Sequence, residues 1–282
     1  MILGAHLTIT AGLAAAMDLC VELGGNTFQF FTRNPRGGKQ RDMTDGEIQE
    51  GNERRAALGV QALVGHFPYT VNLASPKPDA YRFARDVLYQ DLRWGDRIGA
   101  DVLVVHPGSH VGEGVDAGIE RIAGAVRHAL DGYAGRTRLL LETMSGQGSE
   151  VGYEPGHLRR ILEAADWHPA LGVCLDSCHL FAAGFDLRTP EGVAGMVETF
   201  DRVIGLDRIG CLHLNDSKTP LGSHRDRHEL IGRGHLGRAG IRAILENPFI
   251  RTLPVVLETP VDDIREYADE IRAVREILAE RD

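Results

Sequence analysis

Short apolar runs alternate with longer amphipathic stretches along the whole chain. Strand-like runs fall near 2–7, 27–32, 61–66, 102–106, 138–142, 172–176, 209–214 and 254–258. Apolar positions at helical spacing follow each of them, near 11–24, 44–58, 79–99, 116–131, 155–166, 190–204, 238–246 and 262–280. Strands that alternate with helices imply a parallel sheet, and eight such units predict an α/β fold closed into a (β/α)8 TIM barrel. An open, doubly wound sheet is the runner-up, but no strand is followed by G-x-G-x-x-G or a Walker loop. No Pro/Ser-rich linker or low-complexity segment interrupts the series, so residues 1–282 read as one domain.

Two connections are long for a compact domain: RNPRGGKQRD (Arg33–Asp42) after the second strand and Asn215–Gly237 after the seventh. Loops of that length are usually functional or disordered. In a barrel both would lie on the C-terminal face, where active sites are built.

What ends the strands changes the picture. Strands three to eight end in His66, His106, Glu142, Asp176, His213 and Glu258, and His179 follows three residues after Asp176. Side chains at i and i−2 share a face of a strand, so His106 points with Val104, Glu142 with Leu140 and Glu258 with Val256. If those faces line the barrel, the ionisable groups meet at its mouth. One histidine at a strand end is ordinarily a packed residue, and one glutamate an ordinary ion pair. Six in register require several buried charges to converge, which is costly without cations to neutralise them. Imidazoles interleaved with carboxylates point to zinc or another divalent transition metal. The second long loop adds Asp226-Arg227-His228, whose first and third residues face one way in an extended segment. The candidate ligands then number nine, enough for about three metals at roughly three protein ligands each.

Composition bounds the rest. Hydrophobic residues make up 43% and charged residues 25%, the balance of a globular protein. No apolar stretch approaches the roughly 18–20 residues that cross a bilayer. The N-terminal MILGAHLTIT lacks the basic and apolar segments of a signal peptide, so a cytoplasmic protein is expected. The four cysteines (Cys20, Cys174, Cys178 and Cys211) form no disulfide framework at this length. A net charge of −9 argues against a nucleic-acid partner. Against that, bound cations would reverse the local sign. The basic residues also cluster, with Arg33, Arg36, Lys39 and Arg41 in one loop and Arg225, Arg227, Arg233 and Arg238 in the other.

With these residues in view, the chain resembles the endonuclease IV family of apurinic/apyrimidinic endonucleases. The match is carried by GAHLTITAGL, FFTRNPR, HFPYTVNLASP, VVHPGSH, LETMSGQGSEVGY, GVCLDSCHLFAAGFDLRTP, HLNDSKTPLGSHRDRHELIGRGHLG and VVLETP, in family order over nearly the whole chain. The resemblance implies a TIM barrel with three zinc ions, one position admitting manganese or iron. His66, His106 and Glu142 would hold the first. Glu142 would bridge to the second with Asp176, His213 and Glu258, and His179, Asp226 and His228 would hold the third. Glu142 and Glu258 would be the catalytic carboxylates.

The implied substrate is double-stranded DNA with an abasic site or a blocked 3′ end, and the implied reaction is hydrolysis 5′ to the lesion. The resemblance also places Arg36 and Tyr69 as the side chains inserted into the damaged duplex, with Arg33 and Lys39 as further DNA contacts. A monomer at the nucleoid is expected. The chain departs from the family in reading Glu142-Thr143-Met144 where E-N-T is common, which bears on the hydrogen bonding around Glu142. It also has Gly37-Gly38-Lys39 in place of a WRAAP-like loop tail. The rival readings are a metal-dependent sugar isomerase or epimerase of the same barrel superfamily and a non-enzymatic DNA-binding protein. Neither accounts for both the D-R-H loop and six ionisable residues at strand ends.

Overall fold

The computed structural model describes residues 1–35 and 39–280. Its strands are β1 (Ile2–His6), β2 (Thr27–Phe31), β3 (Ala62–His66), β4 (Val102–Val105), β5 (Arg138–Glu142), β6 (Leu171–Asp176), β7 (Ile209–His213), β8 (Asp216–Ser217), β9 (His228–Glu229) and β10 (Pro254–Leu257). Its helices are α1 (Leu13–Glu22), α2 (Asp45–Leu58), α3 (Pro78–Ile98), α4 (Val115–Leu130), α5 (Pro155–Ala164), α6 (Ser177–Ala182), α7 (Pro190–Val203), α8 (Gly237–Glu246) and α9 (Tyr267–Ala279). Eight parallel strands close into a barrel in the order β1-β10-β7-β6-β5-β4-β3-β2. This is the (β/α)8 barrel expected from the sequence.

Local chemistry sets the helix ends. Thr44 and Glu47 form a reciprocal capping box at the start of α2. Pro78 opens α3, and Gly99 closes it in the left-handed region at φ 81°. The C-terminal helix begins later than the apolar pattern implied. Residues Ile264–Glu266 form a 3-10 turn first, with the Asp263 side chain accepting from the Arg265 N–H. Two elements carry too few residues for periodicity to register. One is α6, which starts directly from the end of β6; the other is the antiparallel ribbon of β8 and β9 inside the long loop.

Alternation along the strands divides the core in two. Val64, Val102, Val104, Leu140, Cys174, Cys211 and Val256 fill the barrel axis. The opposite faces, including Leu63, Leu103, Leu139, Leu141 and Leu175, pack outward against the helices. A fully buried leucine contributes about 1.5–3 kcal/mol, so these two layers fix the strand register. No helix among the described residues is long and apolar enough to cross a membrane.

Candidate metal centre

Two positions beyond the axial residues Val64, Val104, Leu140, Cys174, Cys211 and Val256 stand His66, His106, Glu142, Asp176, His213 and Glu258. The closed barrel brings all six to its C-terminal mouth. Glu142, fully buried, lies among them. Its Oε2 is 3.3 Å from His66 Nε2 and 3.1 Å from His106 Nε2. Its Oε1 is 3.0 Å from His213 Nδ1 and 3.3 Å from His179 Nδ1. His213 Nδ1 also lies 3.3 Å from Glu258 Oε2. The donor atoms of Glu142, Asp176, His213 and Glu258 are all within 4.8 Å of one another, and so are those of His66, Glu142 and His213. His179, Asp226 and His228 make a further group by the same measure. The three sets expected from the sequence are therefore brought together, with His106 on the same carboxylate oxygen as His66.

The long loop after β7 delivers Asp226 and His228. Ser217 of β8 pairs with His228 of β9, which turns the chain back over the barrel mouth. The Asp216 carboxylate, fully buried, accepts from the backbone N–H groups of Ser217 (2.7 Å), Gly234 (2.9 Å), Leu236 (2.9 Å) and Gly237 (3.1 Å). Close approach explains the glycine: a Cβ at Gly234 would sit 2.4 Å from both Asp216 Oδ1 and Ser217 O.

Four histidines are held by one ring nitrogen so that the other faces carboxylates. His66 Nδ1 donates to Phe67 O at 2.6 Å, His179 Nδ1 to Thr143 O at 2.8 Å and His228 Nδ1 to Glu258 O at 3.1 Å. His213 Nε2 donates to Gln29 Oε1 at 2.8 Å. In a neutral ring the remaining nitrogen is then a lone pair. His179 Nε2 and His228 Nε2 are buried without a hydrogen-bond partner, 3.3 and 3.2 Å from the same Asp226 oxygen. Lone pairs aimed at a carboxylate repel unless a cation lies among them. The orphaned nitrogens and the N/O donor set therefore fit divalent metal.

Buried opposite charges shift one another strongly here. Burial works to raise the Glu142 carboxyl, but His213 and His106 outweigh it and hold Glu142 well below the usual range. Burial lowers His213, yet Glu258 and Glu142 lift it well above an ordinary histidine. His228, opposed in the same way by burial, is lifted to about 9 by Asp226 and Asp176.

The first two strands, to which the sequence reading gave no ligand, also contribute. Gln29 in β2 and His6 at the end of β1 face inward, and Gln29 touches both His213 and Glu258. A fully buried glutamine in the middle of TFQFF was the available signal. Asn215 was missed as well: its Nδ2 donates to Asp176 Oδ2 at 2.7 Å, and its Oδ1 accepts from the Glu258 N–H at 3.0 Å.

Known proteins share this arrangement of chain. The family described as a xylose isomerase-like TIM barrel matches residues 17–280. A probable endonuclease 4 of Moorella thermoacetica is 47% identical over 98% of this chain and 99% of its own length. One of Heliobacterium modesticaldum is 44% identical over 99% of both. The chain belongs to the endonuclease IV family. The crystal structure of endonuclease IV from Thermus thermophilus superposes with a TM-score of 0.87 at 32% identity, covering 99% of each chain. A D-tagatose 3-epimerase-like protein reaches a TM-score of 0.71 at 19% identity, covering 99% of this chain and 97% of its own, a likeness of fold alone.

Membership of the endonuclease IV family makes this a metal-dependent deoxyribonuclease and directs attention to the loops around the centre. A cleft of about 870 Å³ opens beside it, lined by His6, Thr8, Phe31, Lys39 and Arg41 among others. Tyr69 is half exposed, its ring 5.9 Å from that of Phe31. Lys39 is exposed, whereas Arg36 lies outside the described residues.

Arg33, expected to face DNA, is instead buried. Its Nε lies 2.9 Å from Asp91 Oδ1, and Thr32 and Gln40 bond the same carboxylate. A guanidinium paired inside the fold anchors the loop and does not reach outward. Arg41 and Arg238 are likewise paired, with Glu47 and Glu280. The departure at Thr143 leaves Glu142 untouched: Thr143 Oγ1 accepts from the Asp176 N–H at 2.9 Å, and its carbonyl holds His179. Cys174 and Cys211 pack in the axial layer below the carboxylates.

Proposed function

We propose that this chain hydrolyses the phosphodiester on the 5′ side of abasic sites in duplex DNA, leaving a 3′-hydroxyl and a 5′-deoxyribose phosphate. The same centre removes 3′-phosphates and 3′-phosphodiesters from blocked ends. The observation that carries this reading is the convergence of eight histidine and carboxylate side chains in three sets, two of which share Glu142 and His213, with His106 at 3.1 Å from Glu142 Oε2 and the unpartnered Nε2 atoms of His179 and His228 aimed at Asp226.

In this reading His66, His106 and Glu142 hold one zinc ion, Glu142, Asp176, His213 and Glu258 a second, and His179, Asp226 and His228 a third. Bound divalent cations supply Lewis acidity, stabilising charge on phosphoryl oxygens and on the departing oxygen and acidifying water. The residues of the chain do the rest. Glu142 ties two positions together, and Glu258 faces the same space as His213. The hydrogen bonds of Phe67, Thr143, Gln29 and Glu258 fix four imidazoles so that no reorganisation is needed when substrate arrives. In the same reading Tyr69, at the rim, packs into a gap in the base stack, and Arg36, which lies outside the described residues, is its partner. Lys39 neutralises a phosphate. All nine donors come from one chain, so a monomer suffices.

The test is metal analysis of protein purified without added metal, followed by incubation with a defined abasic duplex, an intact duplex, a 3′-phosphate duplex and a ketohexose. Nicking 5′ to the abasic site and release of 3′-phosphate, both abolished by chelation, are expected. Turnover of the sugar without nicking would replace this reading with the isomerase one.

A further inference from the structure

The axial layer of the barrel is apolar except on β2. Gln29 pairs in register with Val64 and is fully buried, among Val64, Val104, Leu140, Cys174, Cys211 and Val256. A primary amide at such a position is costly unless its polar atoms are matched. Here each has a partner. Oε1 lies 2.8 Å from His213 Nε2, and Nε2 lies 2.5 Å from Glu258 Oε1 and 2.9 Å from His6 Nδ1.

The chemistry of the partners fixes the directions. Turning the amide over would set its oxygen against the Glu258 carboxylate, so the nitrogen must face Glu258. An amide oxygen only accepts, so His213 carries its proton on Nε2. Its Nδ1 then presents a lone pair towards Glu142 Oε1 at 3.0 Å and Glu258 Oε2 at 3.3 Å. The second amide hydrogen goes to His6 Nδ1, so neutral His6 carries its own proton on Nε2. His6 lines the cleft beside the centre, with its ring 4.3 Å from that of Phe31.

We infer that Gln29 is a positioning residue that sets three groups at once: the tautomer of His213, the orientation of Glu258, and the proton of His6. This rests on the metal-centre reading above, since the first two groups serve the second metal position. The third gives that position a neutral N–H donor at the edge of the cleft, suited to an oxygen of a phosphodiester. One glutamine thereby links the ligands of a metal to a group that meets the substrate.

The experiment uses zinc-loaded protein labelled with ¹⁵N. Metal content is measured first; wild-type protein that holds no zinc would overturn the metal-centre reading and leave the hydrogen-bond argument to be read on its own. Long-range ¹H–¹⁵N spectra then report histidine tautomers. His213 and His6 are both expected as Nε2–H, and either one found as Nδ1–H overturns the inference without any variant. Gln29→Met keeps bulk and removes all three hydrogen bonds. It is expected to weaken retention of one ion by about 10–100-fold in chelator competition, the usual scale for groups that orient ligands. It also frees His6 from a single tautomer, and His213 wherever the ion is lost from Nδ1. Gln29→Glu keeps an acceptor for His213 Nε2 but repels Glu258, so the His213 tautomer is retained while the ion is still weakened. Retention of all ions and an unchanged His6 tautomer in Gln29→Met would mean that the glutamine only fills space.

Discussion

At the scale of single residues, Glu142 and Arg33 separate a carboxylate shared among histidines from a cation paired with one buried carboxylate. Glu142 has histidines on both oxygens. Glu142→Ala is expected to lower cleavage of abasic DNA by at least about 10²-fold, the scale of losing one charge-stabilising group. Circular dichroism should report an intact barrel, because the apolar layers are untouched. His179→Ala and Asp226→Ala remove donors of the same group. Each should lose about one ion, and the double variant no more than either single one, by elemental analysis. Arg33→Ala should behave differently. It leaves Asp91, which has no exposed surface, without its cation. A loss of about 3–5 kcal/mol in urea unfolding is expected. An unchanged midpoint would mean that Arg33 is not the anchor its geometry describes.

At the scale of elements, the long segment between β7 and α8 depends on Asp216. Its carboxylate collects backbone N–H groups from both ends of the loop that carries Asp226 and His228. Hydrogen bonds to a charged acceptor contribute about 1.5–3 kcal/mol each, though their sum is not additive. Asp216→Ala should therefore cost at least about 2 kcal/mol in urea unfolding and expose the loop to proteolysis between β8 and α8. If Asp226 and His228 hold an ion as proposed, it should also weaken retention of that ion, although Asp216 touches neither residue. Resistance to protease equal to wild type would show that the β8–β9 ribbon alone holds the loop.

At the scale of the whole molecule, an acidic protein is asked to hold a polyanion. With 40 acidic and 31 basic residues, average charge cannot supply affinity. Local contacts can, because counterion release counts neutralised phosphates and not net charge. Binding of a metal-loaded, cleavage-dead variant to duplex DNA should still weaken steeply with salt. Lys39→Ala should flatten the slope of log affinity against log salt by about one unit, on abasic and intact duplexes alike. A slope equal to wild type would remove Lys39 from the interface.

The sequence alone determined the barrel and most of the centre. Alternation of period two along a strand is a local property, so His66, His106, Glu142, Asp176, His213 and Glu258 could be assigned to one face before any fold was known. Eight strand–helix units, none followed by a G-x-G-x-x-G or Walker loop, then favoured closure over an open, doubly wound sheet. What tertiary structure decided was pairing across the barrel. Which oxygen of Glu142 meets which imidazole depends on strand stagger, which no local pattern encodes. Gln29 reads as one polar residue in an apolar strand until β2 is set beside β1 and opposite His213 and Glu258. Arg33 looks like part of a basic loop until the fold places Asp91 of α3 beneath it. Contacts between residues far apart in the chain set the worth of each charge, because burial removes water and leaves the neighbours to supply its partner.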